Sequence, residues 1–410
     1  MSASAHLMLL EEIIALEERH TSGLNTKRPI ALVRGQGAVV WDANGRAYID
    51  CMTGHGVAAL GHCHPEVTAA IQVQAATLVA CSEAVYNDQR AALMEELTHH
   101  TPGDLKRVFL CNSGAEAVEA AIKFARFFTR RTEVIAATRG FHGRTMGALS
   151  ATWNAKYRDP FLPLVPGFRH VPFNNLAALE EALTDQTAAV LIEVIQGEGG
   201  VHLAEPGYVQ GLRELCTARG VLLIVDEVQT GMGRTGRWFA CEHFGVLPDM
   251  LCLGKALGGG VPMGAVIWRE ALGTLPPGIH GSTFGGNPLA CAASRAVVRV
   301  MERDGLPERA ARLGEKLLAD LRAIRSPLIR EVRGRGLMVG VELRRRATPL
   351  LRALMDRGVL AMPAGSTVVR LLPPLVIMEE QLDQVVQAMA QALSDATAAQ
   401  NGSGASEEEG

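Results

Sequence analysis

The chain has 410 residues, of which 48% are hydrophobic and 20% are charged, and its formal net charge is −3. This length predicts two lobes, and this composition is typical of a globular protein with a large core. The slightly negative charge gives no electrostatic reason to expect nucleic acid or an anionic membrane as a partner. The opening MSASAHLMLLEEII is unlike a signal peptide, no uncharged apolar run of about 18 residues occurs, and the eight cysteines are scattered. We therefore predict a cytoplasmic protein with free thiols.

The first 60 residues are predicted to contain a helix and a hairpin. Within residues 1 to about 20, LLEEIIALEE has the spacing of an amphipathic helix. The stretch GAVVWDANGRAYIDC alternates apolar and polar residues around a turn at Ala43-Asn44-Gly45.

Between about residues 105 and 270, short apolar runs alternate with helical stretches. The runs are RVFLC, EVIAAT, AAVLIEVI, VLLIVDEV, DMLCLG and MGAVIW, and the helical stretches include EAVEAAIKFARFF. Continuous apolar strands that alternate with helices predict an α/β fold with a mostly parallel sheet covered on both faces.

The two ends of the chain are predicted to form one smaller α+β domain. REVRGRGLMVGVEL indicates strands around Gly334-Arg335-Gly336, and MEEQLDQVVQAMAQALSDA indicates a final helix. We predict that residues 1–60 and 286–395 build this domain and that residues 61–285 form the large domain. The Gly-, Ser- and Glu-rich end, residues 396–410, is predicted to be disordered.

GMGRTG, which follows the run VLLIVDEVQT, matches the dinucleotide-binding pattern G-x-G-x-x-G. In a dinucleotide fold these glycines open a helix, and an acidic residue follows about 20 positions later. Here RWFACEHFGVLPDM follows, which is a poor helix start, and Glu242 and Asp249 come too early. A nicotinamide-dependent oxidoreductase is therefore disfavoured, and we interpret GMGRTG as a tight structural loop.

Three other residues follow strands and could hold one ligand. Asp226 ends an apolar strand, where open parallel sheets bind ligands, although a loop cap explains it equally well. Ser113 and Glu116 in CNSGAEAVEAA fit a capping box, and Gly114 would also allow a phosphate to approach the free amides of the helix. Of six lysines, only Lys255 directly follows an apolar strand and precedes a glycine cluster.

An apolar pocket lowers the pKa of a lysine and makes its amine a nucleophile towards aldehydes. Pyridoxal phosphate (PLP) needs such an amine, an anion site for its phosphate and a carboxylate for its ring nitrogen. The three residues together therefore predict a PLP site.

The chain resembles the class III, fold type I aminotransferases from about Pro29 to Leu393. It carries, in family order, NSGAEAVEAAIKFAR, RGFHGRT, IQGEGG, VDEVQTGMGRTG, LGKALGGG, HGSTFGGNPLA and VVRLLPPLVI. The resemblance implies a PLP-dependent aminotransferase that works as a homodimer. A non-catalytic PLP-binding regulator is the alternative, and the presence of the whole residue set speaks against it.

The resemblance also implies roles for individual residues in cofactor binding. Lys255 would bond the cofactor aldehyde and move the substrate proton, and Asp226 would pair with the ring nitrogen. The other cofactor contacts would come from Ser113, Gly114 and Ala115 at the phosphate, Phe141 and Val228 on the two ring faces, Glu227, Gln229 at the ring hydroxyl, and Thr283 towards the phosphate of the neighbouring subunit.

For the substrates, the resemblance implies glutamate and 2-oxoglutarate as one pair. Arg370 would clamp their α-carboxylate and would pair with Glu198 when the other substrate enters, because arginine binds carboxylate in a bidentate way. Arg144 would hold the remote carboxylate of that substrate, and Ser282 would also contact substrate.

Within the family, the stretch TSGLNTKRPIALVRGQGAVVWDANGRAYIDC is similar to aminotransferases that act on lysine attached to the carrier protein LysW. This similarity implies LysW-γ-L-lysine as donor, LysW-linked ornithine as a further donor, and a place in lysine and arginine biosynthesis. N-acetylornithine is the alternative donor.

Two residues depart from the family pattern. Val194 replaces a proline, which is expected to loosen the turn near Glu193, and His55 stands where some relatives place an aromatic ring. The family has a stretch similar to His62-Cys63-His64 as structure, so we predict no metal.

Overall fold

The computed structural model describes residues 8–404, and of residues 399–404 it describes only the helical backbone. The helices are α1 (Leu10–His20), α2 (Thr53–Gly56), α3 (Pro65–Thr77), α4 (Asp88–His100), α5 (Gly114–Thr129), α6 (Met146–Ala151), α7 (Ala155–Arg158), α8 (Leu176–Ala182), α9 (Pro206–Arg219), α10 (Pro288–Arg303), α11 (Leu306–Ala323), α12 (Thr348–Asp356) and α13 (Glu379–Gly404). The strands are β1 (Leu32–Gln36), β2 (Val39–Asp42), β3 (Ala47–Asp50), β4 (Leu105–Cys111), β5 (Glu133–Ala137), β6 (Phe168–Val171), β7 (Thr187–Ile192), β8 (Ile195–Gln196), β9 (His202–Leu203), β10 (Leu222–Asp226), β11 (Met250–Leu253), β12 (Gly264–Arg269), β13 (Ile329–Arg335), β14 (Met338–Leu343), β15 (Val359–Leu360), β16 (Met362–Ala364) and β17 (Val368–Leu371).

A seven-stranded sheet in the order β4-β12-β11-β10-β7-β5-β6 forms the centre of the protein. Only β12 runs against the others, because it pairs antiparallel with both β11 and β4. The α/β class and the mostly parallel sheet are therefore confirmed, and each of the six predicted apolar runs is one of its strands. The prediction missed β6, an edge strand whose sequence, FRHV, has no continuous apolar run.

Helix α5 covers one face of this sheet through small side chains. Ala117, Ala121 and Ala125 recur every four residues, so they lie on one side of the helix, and all three are buried. Small residues let the helix backbone approach β11 and β12 closely. This packing fixes the first turn of α5 at the edge of the sheet where β4 ends.

Two four-stranded sheets involve the chain ends. In one sheet, the predicted hairpin β2–β3 pairs Val40 with Tyr48, and β15 from the C-terminal part lies parallel to β3. In the other sheet, β13 and β14 form the predicted pair and β17 lies beside β14. The chain ends thus share a sheet, while the domain boundaries given above stay a prediction.

The final helix is longer than predicted. It continues to Gly404, so a disordered tail from residue 396 is wrong up to that position, because Ala396-Thr397-Ala398-Ala399-Gln400 contains good helix formers. Residues 405–410 lie outside the described range. All eight cysteines are free, as predicted. Of the helices between residues 8 and 404, none is long and apolar enough to cross a bilayer.

Candidate active site

Five strands of the large sheet end at the same edge and deliver the candidate residues there. Strands β4, β5, β7, β10 and β11 run in one direction, so the segments that follow them meet. Their carboxyl ends lead to Ser113, Phe141, Glu193, Asp226 and Lys255, respectively. Parallel sheets bind ligands at this edge.

Asp226 is 4% exposed and has a histidine partner that the sequence analysis missed. One carboxylate oxygen of Asp226 lies 2.8 Å from Nδ1 of His142, and the other accepts a bond from the amide of Val228 at 3.0 Å. Burial by itself lowers the pKa of His142, but the hydrogen bond and the charge of Asp226 outweigh it, so the pKa is raised. The signal in the sequence was the place of His142 in RGFHGRT, directly after Phe141.

Lys255 begins a 3₁₀ turn, Lys255–Gly258, directly after β11. Its φ is +46°, a left-handed conformation that costs a non-glycine residue about 1 kcal/mol or more and that persists where surrounding structure imposes it. Burial of the amine lowers the pKa of Lys255, with Arg370 adding to the effect and Glu198 opposing it. A larger share of the amine is therefore neutral, as a nucleophile or base requires.

The start of α5 has the properties of an anion site. The hydroxyl of Ser113 accepts a bond from the amide of Glu116 at 3.2 Å, while the carboxylate of Glu116 accepts one from the amide of Asn112 at 2.9 Å. The amides of Gly114 and Ala115 have no partner within the helix, because they belong to its first turn. They are free to bind phosphate oxygens.

Gly114 is packed tightly against Val228 and Gly254. A Cβ atom at Gly114 would lie 2.6 Å from Cγ1 of Val228, and one at Gly254 would lie 3.2 Å from the Cα atom of Gly114. The two glycines and Val228 therefore form a tightly packed floor on which no further side chain fits. With Asp226 and Lys255 at the same edge, this residue set fits PLP.

Arg370 on β17 is 0% exposed and is held by two side chains. One of its terminal nitrogens lies 2.7 Å from a carboxylate oxygen of Glu198, and the other donates to the side-chain carbonyl of Gln229 at 2.9 Å. Burial tends to raise the pKa of Glu198, but the charge of Arg370 outweighs it, and the pKa is lowered. Because its carbonyl faces Arg370, Gln229 keeps only its amide group for the ring hydroxyl, and that contact stays a prediction.

Arg144 and His55 lie near the same group of charges. The guanidinium of Arg144 stands 5.0 Å from the ring centroid of Tyr157 and 5.9 Å from that of Phe141. Burial lowers the pKa of His55, and the charges of Glu198 and Arg370 act on it in opposite directions. Both residues therefore lie near Glu198 and Arg370, while the contact of Arg144 with a substrate carboxylate stays a prediction.

The turn at Glu193 is well held, although valine follows it. Its carboxylate accepts bonds from the amide of Phe141 at 2.9 Å and the amide of Gly197 at 3.1 Å. Val194 is fully buried in the core, and its carbonyl accepts a bond from Ala204. These contacts hold the turn in place without a proline, and whether valine loosens it stays a prediction. Burial raises the pKa of Glu193 to about 7.

The side chain of Glu227 does not reach the candidate site, so its assignment as a cofactor contact is corrected. Its carboxylate accepts bonds from the amides of Ala240 and Cys241, at 2.9 and 2.8 Å, and from the hydroxyl of Thr230. Neighbouring residues at a strand end point to opposite sides, so Asp226 and Glu227 cannot share a ligand.

Ser282 and Thr283 lie beside α5 and apart from the substrate residues of this chain. Both line a cavity of about 370 Å³ that also includes Asn112 and Glu116, and the hydroxyl of Ser282 accepts a bond from the side chain of Asn112 at 3.0 Å. Thr283 is exposed. Their contacts with substrate and with a second subunit's cofactor stay predictions.

The glycines of GMGRTG serve the packing of the chain. Arg234 in this loop is fully buried and donates to the carbonyls of Leu337 and Pro373, so the loop ties the end of β10 to the C-terminal part of the chain. The loop is followed by a short 3₁₀ helix, Ala240–Phe244, and not by the α-helix that a dinucleotide fold would open at these glycines, which agrees with the interpretation as a structural turn.

Comparison with known proteins gives the same class throughout. Residues 22–393 match the family Aminotransferase class-III. The chain is 50% identical to the [LysW]-aminoadipate semialdehyde transaminase of Deinococcus radiodurans, over 93% of this chain and 90% of that protein. It is 51% identical to an acetylornithine aminotransferase of Methanopyrus kandleri, over 92% of this chain and 98% of that protein.

Solved structures agree with these sequence matches. A crystal structure of ornithine aminotransferase from Toxoplasma gondii, with PLP at partial occupancy in its active site, superposes with a TM-score of 0.91 at 38% identity and covers 95% of both chains. Acetylornithine aminotransferase from Elizabethkingia anophelis superposes with a TM-score of 0.85 at 38% identity, over 94% of this chain and 99% of that one.

A lysine, a carboxylate and an anion-binding helix start at one edge of a fold type I sheet define a PLP-dependent aminotransferase. The family match extends over most of the chain, and the relatives match nearly end to end. The chain belongs to the class III aminotransferases.

Proposed function

We propose that this aminotransferase takes the terminal amine of LysW-γ-L-lysine, with LysW-linked ornithine as a second donor, and transfers it to 2-oxoglutarate. The products are the carrier-linked semialdehyde and glutamate, in lysine and arginine biosynthesis in the cytoplasm. The observation that carries the proposal is the contact of Arg370 with Glu198 close to the amine of Lys255. The name of the relative from Deinococcus radiodurans supports the choice of donor.

Arg370 and Glu198 explain how one site would accept two different substrates. While they are paired, the positive charge of Arg370 is neutralised, and a donor with no carboxylate next to its reacting amine can enter. When glutamate or 2-oxoglutarate binds, its α-carboxylate replaces Glu198 on the guanidinium, which suits a bidentate carboxylate. The side chain of Glu198 is 28% exposed, so it can turn away from Arg370 towards solvent.

Lys255 is the base that moves the proton at the reacting carbon. When bound, PLP supplies an aldehyde that bonds amines and a ring that withdraws electrons. The neutral amine of Lys255 accepts the proton from the carbon that carries nitrogen and returns it on the other side of the reaction. Asp226, held by His142, would pair with the ring nitrogen of bound PLP and favour its protonated form.

The homodimer belongs to this proposal, and exposed apolar residues support it. Phe284 is 65% exposed directly after Thr283, and Val85 and Tyr86 are 58% and 105% exposed on the segment before α4. Large apolar side chains at the surface are typical of a subunit interface. Light scattering of the purified protein should give twice the mass of the 410-residue chain.

Steady-state kinetics with the two donors tests the proposed substrate. We expect kcat/KM for LysW-γ-L-lysine to exceed that for N-acetylornithine by at least about tenfold, which corresponds to 1.4 kcal/mol of transition-state binding. The opposite ratio would assign the chain to acetylornithine, the donor named for the relative from Methanopyrus kandleri. An enzyme that turns over neither donor would contradict both assignments.

A further inference from the structure

A cavity of about 800 Å³ opens outward from the candidate active site and is called the outer cavity here. Its inner wall includes Phe141 and Glu198, and its outer wall is formed by α7 and by residues 365 and 366 between β16 and β17. A volume of this size is in the range that buries a drug-sized ligand, so it exceeds the needs of one amino acid side chain.

Four positive side chains, called the outer cations here, surround this cavity. Arg139, Lys156 and Arg158 line it, and Arg144 stands beside it over the ring of Tyr157. In the part of the chain that the structure describes, none of the four forms an ion pair with a carboxylate. The carboxylate of Glu198, which lies in the cavity wall, is already paired with the buried Arg370 of the active site.

Two of the outer cations are oriented by neutral partners. Arg139 donates to Nε2 of His202 at 3.3 Å, and Arg158 donates to Nδ1 of His170 at 3.2 Å. Burial lowers the pKa of both histidines to about 4, and the neighbouring arginine charges add to the effect. His170 also donates from Nε2 to the carbonyl of Ala151, which leaves Nδ1 as an acceptor. Both arginines are thus held in place while their charge stays uncompensated.

Some arginines elsewhere on the protein are paired with carboxylates. Arg295 lies 3.1 Å from the carboxylate of Glu96, and Arg213 lies 2.7 Å from that of Asp249. The outer cavity therefore concentrates positive potential in a concave site on a chain whose net charge is −3. Such a site attracts anionic ligands and raises their rate of association.

From these contacts we infer that the outer cavity is a docking groove for an acidic polypeptide segment that carries the donor amine. This inference rests on the proposed function and gives it a physical basis. An N-acetylated amino acid brings one carboxylate, which Arg144 would satisfy, and it would leave the remaining outer cations without a counter-charge. Several carboxylates along an acidic polypeptide would pair with all of the outer cations. The rings of Trp153 and Tyr157 provide apolar contact beside these cations.

The first test measures binding without turnover in the PLP-loaded enzyme. The probe is a labelled glutamate-rich peptide whose last glutamate carries norleucine, which has no reacting amine, on its γ-carboxyl. We expect binding by fluorescence anisotropy, weakened roughly tenfold by Lys156→Glu and by added salt, and kept by Lys156→Arg. A peptide with glutamine in place of glutamate should bind weakly to every variant. Equal binding of both peptides would overturn the inference.

The second test measures the choice of donor. In Lys156→Glu, the ratio of kcat/KM for LysW-γ-L-lysine to that for N-acetylornithine should fall about tenfold. The matched control is Lys106→Glu, an equal charge change at the start of β4, which is the opposite edge of the sheet. This control should leave the ratio unchanged.

The outcomes separate the two proposals. If LysW-γ-L-lysine is no donor for the wild-type enzyme, the proposed function fails, whatever the peptide does. If it is a donor but Lys156→Glu changes neither the peptide affinity nor the ratio, only the docking groove is rejected. Equal losses with both donors would indicate a structural role for Lys156 and would also reject the groove.

Discussion

The inner part of the active site and the outer cavity differ in how their charged side chains are paired. Inside, Asp226 lies against His142, and Glu198 lies against Arg370, so the buried side chains of Asp226 and Arg370 each have a partner within the chain. The outer cations have no carboxylate partner among the described residues and face solvent. Paired, buried charges suit the chemistry common to the whole class, whereas uncompensated charges near the surface suit recognition of one donor. Substitutions inside should therefore change the rate with every substrate, and those outside should change the choice of donor.

The largest effect is expected for Lys255→Ala, which removes the base of the inner site. Transamination should fall by roughly 10⁴-fold or more with both donors, because no other amine follows a strand at this edge. The fold should persist, since the amine has no ion pair to lose. Lys106→Ala, at the opposite edge of the sheet, is the matched control and should keep normal activity. Borohydride reduction and peptide mass analysis should find the cofactor on the peptide with Lys255, and an adduct elsewhere would overturn the mechanism.

A smaller and more selective effect is expected for Arg370→Ala. The half-reaction with 2-oxoglutarate should slow by about 10²-fold or more, because a buried guanidinium that binds a carboxylate is lost. The half-reaction with the ω-amine donor should suffer far less. Single-turnover kinetics of each half-reaction measures the difference.

Glu198→Gln is the counterpart of that variant, because it leaves Arg370 uncompensated at all times. This variant should retain the rate of the half-reaction with 2-oxoglutarate and should slow the half-reaction with the ω-amine donor. Equal losses in both halves for either variant would contradict the exchange of partners on Arg370.

The sequence alone predicted the parts of this site that follow strands. Continuous apolar runs marked the parallel sheet, and Asp226 and Lys255 stood out because they come directly after such runs. His142 gave no periodic signal, and only the fold brings it to a carboxylate 84 residues away. The error at Glu227 was avoidable, since the alternation of a strand already separates it from Asp226.

The outer cations were largely hidden from the sequence for a different reason. Arg139 comes from a loop, Lys156 and Arg158 come from the short helix α7, and each is an ordinary surface residue in its local sequence. The net charge of −3 describes the whole chain and conceals a local positive region. Only the cavity shows that these residues share one space.

The smallest expected effect concerns Glu193, whose carboxylate joins the segments that carry Phe141 and Glu198. Its pKa in the folded protein, about 7, is raised by burial above the ordinary 4.5. A raised pKa contributes stability that is fully present below about pH 4.5 and is lost as the pH rises through about 7, to a total of roughly 3 kcal/mol. The raised pKa of His142 acts in the same direction, and because the charge of Glu193 contributes to it, Glu193→Gln reduces this contribution as well.

Glu193→Gln removes this titration and one of the two hydrogen bonds, because the amide group of glutamine cannot accept. At pH 5 the variant apoenzyme should therefore be less stable than wild type by about 1 kcal/mol, and at pH 8 the difference should vanish or reverse. Thermal unfolding of both proteins at several pH values between 5 and 8 measures this stability difference. A stability difference between wild type and variant that stays constant with pH would mean that Glu193 does not titrate in this range. Glu193 would then join the segments that carry Phe141 and Glu198 only through its hydrogen bonds.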